Sequence, residues 1–489
     1  MWIKLKKNSL KINFIYQSFY QILIMITPLI TAPYIARVIG ASNVGVYSYT
    51  YTIVNYFVLF SMLGINNYGS REIAKSRENK KLNSVASSLV FLHIITTVVV
   101  GIFLVIYICF FSQYKILMLL QGVNLIASLF DITWLYSGLE KFKSTVTKNS
   151  IIKILTVILI LLFVKNENDL WIYICLMAGG TLIGQLLLWP KLFTYIKFQR
   201  VDYGFIKKSI KPMFILFIAI IATSLYRTMD KVMLGNVTNM SYVGCYENAD
   251  KLILFPIGLI TALGTIMLPR MSLLNTTQKE KFNSYFDKSI EFSLIMSFAL
   301  CFGLVSVSDN FCILFFGNEF ILTGEIVKYL SFTIPIISFN NVVRTQYLIP
   351  KEKDKIYVNA IVIGTIINLV INYILIPKLN VYGAIIGTIV AYIIVFIYQM
   401  LSIIREVNWK KYIKISCTPF ASGVVMYILV SLLKSYLAND WIYLIVEVIV
   451  GAIIYILINA LSIYFNKGSN FHEMIKVRVS KYMKKNRKE

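Results

Sequence analysis

Two apolar segments meet in the stretch MDKVMLGNVTNMSYVGCYENADKLI (Met229–Ile253), and both carry charged side chains in the same pattern. The charged residues are Arg227, Asp230 and Lys231 in the first segment and Glu247, Asp250 and Lys251 in the second. Positions i, i+3 and i+4 share one face of a helix. An ionisable side chain costs about 2.5–3.5 kcal/mol at the centre of a membrane helix, so such residues usually belong to a transport pathway or to an ion pair. The stretch therefore predicts membrane helices with a polar function.

The composition of the whole chain is that of a membrane protein with many spans. Its 489 residues are 58% hydrophobic and 15% charged, whereas soluble domains contain about 25% charged residues. Strands of a membrane barrel would alternate in hydropathy over about ten residues, but here apolar runs of about 20 residues recur, each long enough to cross a hydrocarbon core. The sequence predicts an all-α polytopic membrane protein with fourteen transmembrane helices, at 12–37, 45–67, 84–111, 114–138, 150–164, 170–190, 212–234, 243–268, 289–308, 326–349, 356–376, 382–404, 415–433 and 441–465. The segment at 150–164 is short, and we expect its polar start, with Lys153, to be helical.

The net charge of +25 is distributed unevenly between the two sides of the predicted membrane. One side holds 37 of the 48 lysines and arginines, in the N-terminal arm, the even-numbered connections and the C-terminal tail. The opposite side holds five, namely Lys115, Lys165, Lys328, Lys378 and Lys434. Because basic residues accumulate in cytoplasmic loops, both termini are predicted to be cytoplasmic. The distribution argues against a nucleic-acid partner, and we expect the basic tail (Lys476–Lys488) to contact anionic membrane lipids.

No cysteine or histidine pattern indicates a metal or a cofactor. The six cysteines show no C-x-x-C spacing and lie mostly inside apolar runs, as core residues do. The two histidines, His93 and His472, are far apart in the sequence. We therefore predict no catalytic residue, no metal site and no enzyme activity.

Short matches in the same order indicate an internal repeat. VGVYSYTYTI (Val44–Ile53) resembles VGCYENADKLI (Val243–Ile253), and Tyr136 followed by Glu140-Lys-Phe-Lys resembles Tyr347 followed by Glu352-Lys-Asp-Lys, at offsets near 199 and 211. Helices 1–6 and 7–12 are thus predicted to be two copies in one orientation, as in transporters whose halves rock around a site between them. The predicted domains are an N-terminal six-helix bundle at 1–198, a cytoplasmic linker at 199–211, a second six-helix bundle at 212–404, and helices 13–14 with the basic cytoplasmic tail at 405–489.

Small residues mark two places of close helix packing. Gly180 and Gly184 form a G-x-x-x-G motif, as do Gly383 and Gly387. Glycines at this spacing let two helix backbones approach each other. We expect packing, rather than a ligand site, at both motifs.

Five stretches, spread over nearly the whole chain, carry a family resemblance: PYIARVIGASNVGVYSY (Pro33–Tyr49), LGINNYGSREIAKSRENK (Leu63–Lys80), DITWLYSGLEKFK (Asp131–Lys143), Met229–Ile253 and RTQYLIPKEKDK (Arg344–Lys355). They resemble the Wzx-type polysaccharide-repeat-unit flippases, which belong to the multidrug/oligosaccharidyl-lipid/polysaccharide (MATE-like) superfamily. The resemblance implies two six-helix bundles related by a pseudo-two-fold axis along the membrane normal, two extra helices and a central V-shaped cavity.

The resemblance also implies a function. A flippase of this family would move undecaprenyl-pyrophosphate-linked oligosaccharide repeat units from the inner to the outer leaflet of the bacterial cytoplasmic membrane by alternating access. The product would serve capsule or O-antigen assembly, with a polysaccharide polymerase and glycosyltransferases as partners. A coupling ion, proton or sodium, is implied but not fixed.

The charged residues of the predicted helices are the candidate site. Guanidinium groups form paired hydrogen bonds to phosphate oxygens, and the candidate ligands of the cargo's pyrophosphate are Arg37, Arg227, Lys231, Lys251 and Arg344. Arg37 and Lys231 occupy matching places in the two repeats, but Arg37 and Arg344 lie near predicted helix ends, where long side chains also reach the membrane interface. The candidate acids are Asp131, Asp230, Glu247 and Asp250. These acids would either bind the coupling ion or form a charge clasp, in which Asp230 or Glu247 pairs with Lys251 and Arg227 pairs with Asp230.

Three other functions remain open at this stage. A multidrug or cation exporter and a peptidoglycan-precursor flippase would share the fold. A membrane glycosyltransferase or polymerase would need a large loop outside the membrane and a metal-binding carboxylate pair such as D-x-D, and the sequence contains neither.

Overall fold

Long apolar helices form nearly all of the structure, which is a computed structural model. It describes residues 2–77, 81–434 and 440–465. The basic tail, with its predicted lipid contact, lies outside the described residues. Within the described ranges the chain is helical and contains no β-strand. The predicted all-α membrane fold is therefore confirmed.

The chain forms two compact units, residues 1–244 and 245–489. The predicted domain boundaries near 198, 211 and 404 stay a prediction. The helices of the first unit are α1 (Trp2–Met62), α2 (Ile65–Ser76), α3 (Leu82–Phe110), α4 (Lys115–Gln121), α5 (Val123–Leu129), α6 (Thr133–Gly138), α7 (Phe142–Phe163), α8 (Leu170–Leu186), α9 (Trp189–Leu192) and α10 (Tyr203–Val237). Helix α11 (Met240–Thr277) begins in the first unit and continues into the second. The remaining elements are α12 (Lys279–Phe316), α13 (Ile321–Ser331), α14 (Thr333–Val343), a π-helix (Arg344–Leu348), α15 (Asp354–Leu379), α16 (Val381–Ile403), α17 (Trp409–Lys434) and α18 (Trp441–Phe465).

The described helices can be compared with the fourteen predicted membrane spans by their length and composition. In the part of the chain that the structure describes, twelve helices are long and apolar enough to cross a membrane. Two shorter segments, Asn318–Ser331 and Thr333–Leu348, form a helix pair bent by 45° at Phe332, and counting this bent helix pair as one span brings the number to thirteen. The exact count of fourteen is not confirmed. The first two predicted segments both lie in α1, on either side of Gly40, whose φ of 77° and ψ of 169° are not helical. Helix α7 includes Lys153, as expected from the short apolar run.

The first unit is built around α1. Helix α1 packs against α3, α5, α7 and α10, and an apolar core at one end surrounds Trp134 and Tyr136. A strap, residues 196–202, leads from α9 to α10 along the start of α3. Its backbone N–H groups at Lys197, Gln199 and Asp202 donate to the side chains of Asn83, Ser87 and Ser88 at 2.9–3.2 Å. These bonds satisfy the extended backbone of the strap.

The second unit is built around α12. Helix α12 packs against α13, α14, α17 and α18. Aromatic side chains fill one end of this unit, where Phe286 lies between Tyr347 and Tyr412 with ring centroids 5.0 and 6.2 Å away. Tyr412 donates to Asp287 at 2.6 Å, which connects α12 to α17.

Both G-x-x-x-G motifs are packing sites, as predicted. A Cβ atom at Gly180 would lie 2.4 Å from Thr156 Oγ1 of α7, and one at Gly387 would lie 2.0 Å from Asn372 Oδ1 of α15. In each case the motif packs against the helix that precedes it in the chain. Glycine at these positions leaves the space that the neighbouring side chain occupies.

Two turns share the geometry that an internal repeat predicts. Glu140 and Glu352 both adopt the left-handed conformation, with φ of 57° and 58°. The next residue donates back to the preceding helix in both turns, from Lys141 N to Tyr136 O and from Lys353 N to Leu348 O, each at 2.9 Å. This pairing closes a helix that ends in a left-handed residue. The similar sequences around Glu140 and Glu352 thus form similar turns.

Gly45 and Gly244, which follow the valines at the start of the two similar stretches Val44–Ile53 and Val243–Ile253, face each other in the first unit. A Cβ atom at Gly45 would lie 1.8 Å from the carbonyl oxygen of Met240, and one at Gly244 would lie 2.0 Å from that of Ala41. The two glycines are 199 positions apart in the chain, and a Cβ atom at either one would also lie 3.0 Å from the other's backbone nitrogen. Helices α1 and α11 therefore cross in backbone contact at equivalent places of the predicted repeat.

Candidate functional site

The charged residues of α10 differ in their exposure. Asp230 and Lys231 are buried, whereas Arg227 is exposed. Two contacts hold α10 against α1, between Tyr56 OH and Thr228 Oγ1 at 2.9 Å and from Tyr49 OH to Asn236 Oδ1 at 2.5 Å. In the described residues Arg227 makes no ion pair, so the predicted pairing of Arg227 with Asp230 is not formed.

The charged residues of α11 form a pair along their own helix. Lys251 Nζ lies 3.2 Å from Glu247 Oε1, and it donates to Asn248 Oδ1 at 3.3 Å. The two charged side chains are 27% and 15% exposed. The predicted clasp pairing of Glu247 with Lys251 is therefore present, because residues four apart on a helix are neighbours. Asp250 is half-buried on the same helix.

Arg344 lies at the start of the π-helix and contacts two neutral side chains. Its Nη2 donates to Asn341 Oδ1 at 3.0 Å, and its Nη1 donates to Tyr357 OH at 3.2 Å. The guanidinium carbon is 5.0 Å from the centroid of the Tyr357 ring. Arg37, in contrast, is exposed on α1. The five predicted cations thus lie on four different elements.

Asp131 has a local role that the sequence interpretation missed. Its Oδ1 accepts from the backbone N–H of Thr133 at 2.8 Å and from the Thr133 hydroxyl at 2.6 Å. The carboxylate thereby supports the first turn of α6. The Asp-x-Thr spacing before a helix was the available signal, since aspartate commonly accepts from a backbone N–H two residues later.

A second group that sequence reasoning missed is Glu406, in the turn between α16 and α17. It accepts from Tyr347 OH at 2.9 Å and from Lys351 at 3.2 Å, and Lys353 pairs with its other oxygen. The bond from Lys353, with those from Tyr347 and Lys351, lowers the pKa of Glu406 to about 2. This acid connects the turn after the π-helix to the turn before α17.

No group of three metal-ligating side chains comes together in the described residues. The predicted coupling ion therefore remains a prediction, and so do the ion-binding roles of Asp131, Asp230, Glu247 and Asp250.

Comparison with known proteins identifies the family. A family model described as "Polysaccharide biosynthesis protein" matches residues 10–275, which is more than half of the chain. The chain belongs to this family. Among curated relatives of this polysaccharide biosynthesis protein, a "Putative O-antigen transporter" of Shigella dysenteriae is 23% identical over 406 residues, covering 81% of this chain and 99% of the relative.

Two solved membrane-transporter structures have a fold similar to that of this chain. The inward closed conformation of the lipid II flippase MurJ superposes with a TM-score of 0.76 at 16% identity, covering 93% of this chain and 98% of that one. An inward-facing multidrug resistance MATE family transporter of the MOP superfamily gives a TM-score of 0.55 at 12% identity, covering 78% and 95%. The predicted family and the predicted MATE-like fold are confirmed.

Proposed function

We propose that this polysaccharide biosynthesis protein is a flippase that moves a lipid-linked oligosaccharide across the bacterial cytoplasmic membrane by alternating access. The cargo would be an undecaprenyl-pyrophosphate-linked repeat unit, moved from the inner to the outer leaflet for capsule or O-antigen assembly. The observation that carries the proposal is the likeness, over 99% of its length, to the relative named "Putative O-antigen transporter". Both termini would be cytoplasmic, and the protein would perform no catalytic step.

The physical task explains why polar groups occur in apolar helices. The polyprenyl tail of the cargo can stay in lipid, but each sugar hydroxyl without a hydrogen-bond partner costs several kcal/mol in hydrocarbon. The pyrophosphate needs cations along its path, and Arg37, Arg227, Lys231, Lys251 and Arg344 are the candidates. Their distribution over several helices suits a path better than a single closed site.

The direction of transport agrees with the membrane potential. A pyrophosphate dianion that moves outward across an inside-negative membrane gains about 2.3 kcal/mol per charge for each 100 mV. The potential therefore favours the loaded step. The empty carrier returns without its anionic cargo, and a proton or sodium bound at Asp131, Asp230 or Asp250 would couple this return to an ion gradient.

A leaflet assay tests the proposed function. Proteoliposomes would contain a labelled undecaprenyl-pyrophosphate-linked oligosaccharide in one leaflet, and an impermeant lectin would report its arrival in the other. We expect protein-dependent transfer, and we expect lipid II and a dye cation to be moved more slowly. Transfer of the dye cation without transfer of the oligosaccharide lipid would show an exporter instead. Faster transfer of lipid II would show a peptidoglycan-precursor flippase.

A further inference from the structure

Arg344 is a half-buried cation in the bent helix pair of the second unit, and no described carboxylate lies within ion-pair distance of it. Five lysines of this unit do have acid partners: Lys251 with Glu247, Lys328 with Asp309, Lys351 and Lys353 with Glu406, and Lys411 with Asp287. A charge removed from water without a counter-charge is costly. Arg344 is therefore placed to receive its counter-charge from a ligand.

The guanidinium of Arg344 is held in place. Asn341 Oδ1 accepts from one terminal nitrogen and Tyr357 OH from the other, at 3.0 and 3.2 Å, with the Tyr357 ring beside the group. A guanidinium has five N–H donors, so three stay available for an anion. Fixing the group before the ligand arrives lowers the entropy cost of binding.

The segment around Arg344 carries a further feature that points to a ligand. Residues 344–348 form a π-helix that ends α14, closed by a bond from Ile349 N to Arg344 O at 3.0 Å. Asn341 Nδ2 and both amide atoms of Asn340 and Gln346 are buried without a hydrogen-bond partner. Each such group costs about 1–3 kcal/mol. A segment optimised only for stability would not retain five such groups on three side chains.

Gly264 of α11 adjoins this segment. A Cβ atom there would lie 2.8 Å from Thr345 Oγ1 and 3.1 Å from Asn341 Nδ2. The backbone of α11 therefore packs directly against the amide of Asn341. This contact fixes the amide that in turn fixes Arg344.

We propose that Arg344 binds a phosphate group of the cargo and that Asn341 and Tyr357 are its positioning residues. The identity of the phosphate as a lipid-linked pyrophosphate rests on the proposed function. Arg344 lies four residues before the end of the bent helix pair at Leu348, a distance of about 6 Å along a helix. Phospholipid headgroups offer the same chemistry, and the test separates the two sources.

The test measures binding of farnesyl pyrophosphate, with farnesol as the matched ligand that lacks phosphate, to the full-length protein in zwitterionic nanodiscs. Arg344→Gln should weaken farnesyl pyrophosphate binding by about tenfold or more and leave farnesol binding unchanged. Asn341→Asp should also weaken farnesyl pyrophosphate binding and leave farnesol binding unchanged, because the new carboxylate forms an ion pair with Arg344 and neutralises its charge. A purely structural role of Asn341 predicts no loss for this isosteric change. Tyr357→Phe should weaken binding by a smaller factor.

The matched control is Gln399→Leu, which removes a buried amide of α16 and should leave both affinities unchanged.

Wild-type affinity for farnesyl pyrophosphate in Arg344→Gln or Asn341→Asp would overturn the proposal. If added phosphatidylglycerol displaces farnesyl pyrophosphate from the wild type but not from Arg344→Gln, the site belongs to bilayer lipids and the cargo assignment is wrong. Binding that depends on Arg344 without any flipping would refute the proposed function and keep the phosphate site. Flipping by Arg344→Gln at the wild-type rate would refute the phosphate site at Arg344 and leave the proposed flippase function intact.

Discussion

Individual charged residues in this protein fall into two groups, those neutralised nearby and those that are not. Lys251 pairs with Glu247 on its own helix at 3.2 Å, so its charge is already compensated. Arg344 and Arg227 have no acid partner among the described residues. We therefore expect Arg344 and Arg227 to matter more to an anionic cargo than Lys251 does.

Asp131 can be tested at the level of one atom. Asp131→Asn keeps the Oδ1 acceptor for Thr133 and removes the charge. If Asp131 only supports the first turn of α6, this variant should keep the wild-type flipping rate and ion dependence, whereas Asp131→Ala should lose about 1 kcal/mol of stability. The leaflet assay and thermal unfolding measure the two effects. Loss of ion-dependent flipping in Asp131→Asn, with stability unchanged, would instead identify Asp131 as a coupling residue.

Glu406 predicts a pH dependence. Its folded-state pKa of about 2 lies below the ordinary 4.5, so its ion pairs stabilise the folded state fully above about pH 4.5. This stabilisation is lost as the pH falls from 4.5 towards 2. The side chain is 37% exposed, so screening limits the contribution to about 1 kcal/mol or less.

Glu406→Gln should therefore lower the unfolding temperature at pH 7 and lower it by less than half as much at pH 3. The control is Glu352→Gln, which alters an exposed acid in the neighbouring turn and should leave both values unchanged. Equal destabilisation of Glu406→Gln at both pH values would show that its ion pairs do not contribute.

At the scale of helices, the crossing of α1 and α11 depends on two glycines. Gly45→Ala would place a methyl group 1.8 Å from Met240 O, and Gly244→Ala would place one 2.0 Å from Ala41 O. The helices must separate to admit either methyl, and overpacking of this kind costs about 1–3 kcal/mol. We expect a lower unfolding temperature and slower flipping for each variant. The double variant should lose less than the sum, because both methyls need the same separation.

The control for this crossing is Gly179→Ala. Gly179 lies in α8 with no atom within 4 Å of its Cβ position, so alanine should be neutral or slightly stabilising. Additive losses in the double variant would show that Gly45 and Gly244 do not share one contact.

The positions of the helices could be predicted from sequence because burial in lipid requires only local apolar composition. Breaks inside those helices could not. Leu63 and Gly64 have φ of 43° and 77° and end α1 against α10, where a Cβ at Gly64 would lie 2.8 Å from Met213 O. The similar Leu263-Gly264 stays helical in α11. The same local sequence thus breaks or continues a helix according to its neighbours.

The same limit applies to the candidate site. The pairing of Glu247 with Lys251 follows from their spacing on one helix. The contact of Glu406 with Lys351 joins residues 55 positions apart, and no periodicity indicates it. Arg344 could be recognised as a cation in an apolar segment, but its fixation by Tyr357 depends on how α15 packs, which the sequence does not report.

At the scale of the whole molecule, the charge distribution and the repeat make one joint prediction about orientation. Lys143 and Lys355 lie at the starts of α7 and α15, and Lys165 and Lys378 lie at their ends, all exposed. If the two repeats are parallel, with the basic side cytoplasmic, single cysteines at Lys165 and Lys378 should react with an impermeant maleimide in intact cells. Cysteines at Lys143 and Lys355 should react only after permeabilisation. The background would carry serine at the six native cysteines. Opposite labelling of the two repeats would show that they are inverted, and reversed labelling of all four positions would place the termini outside.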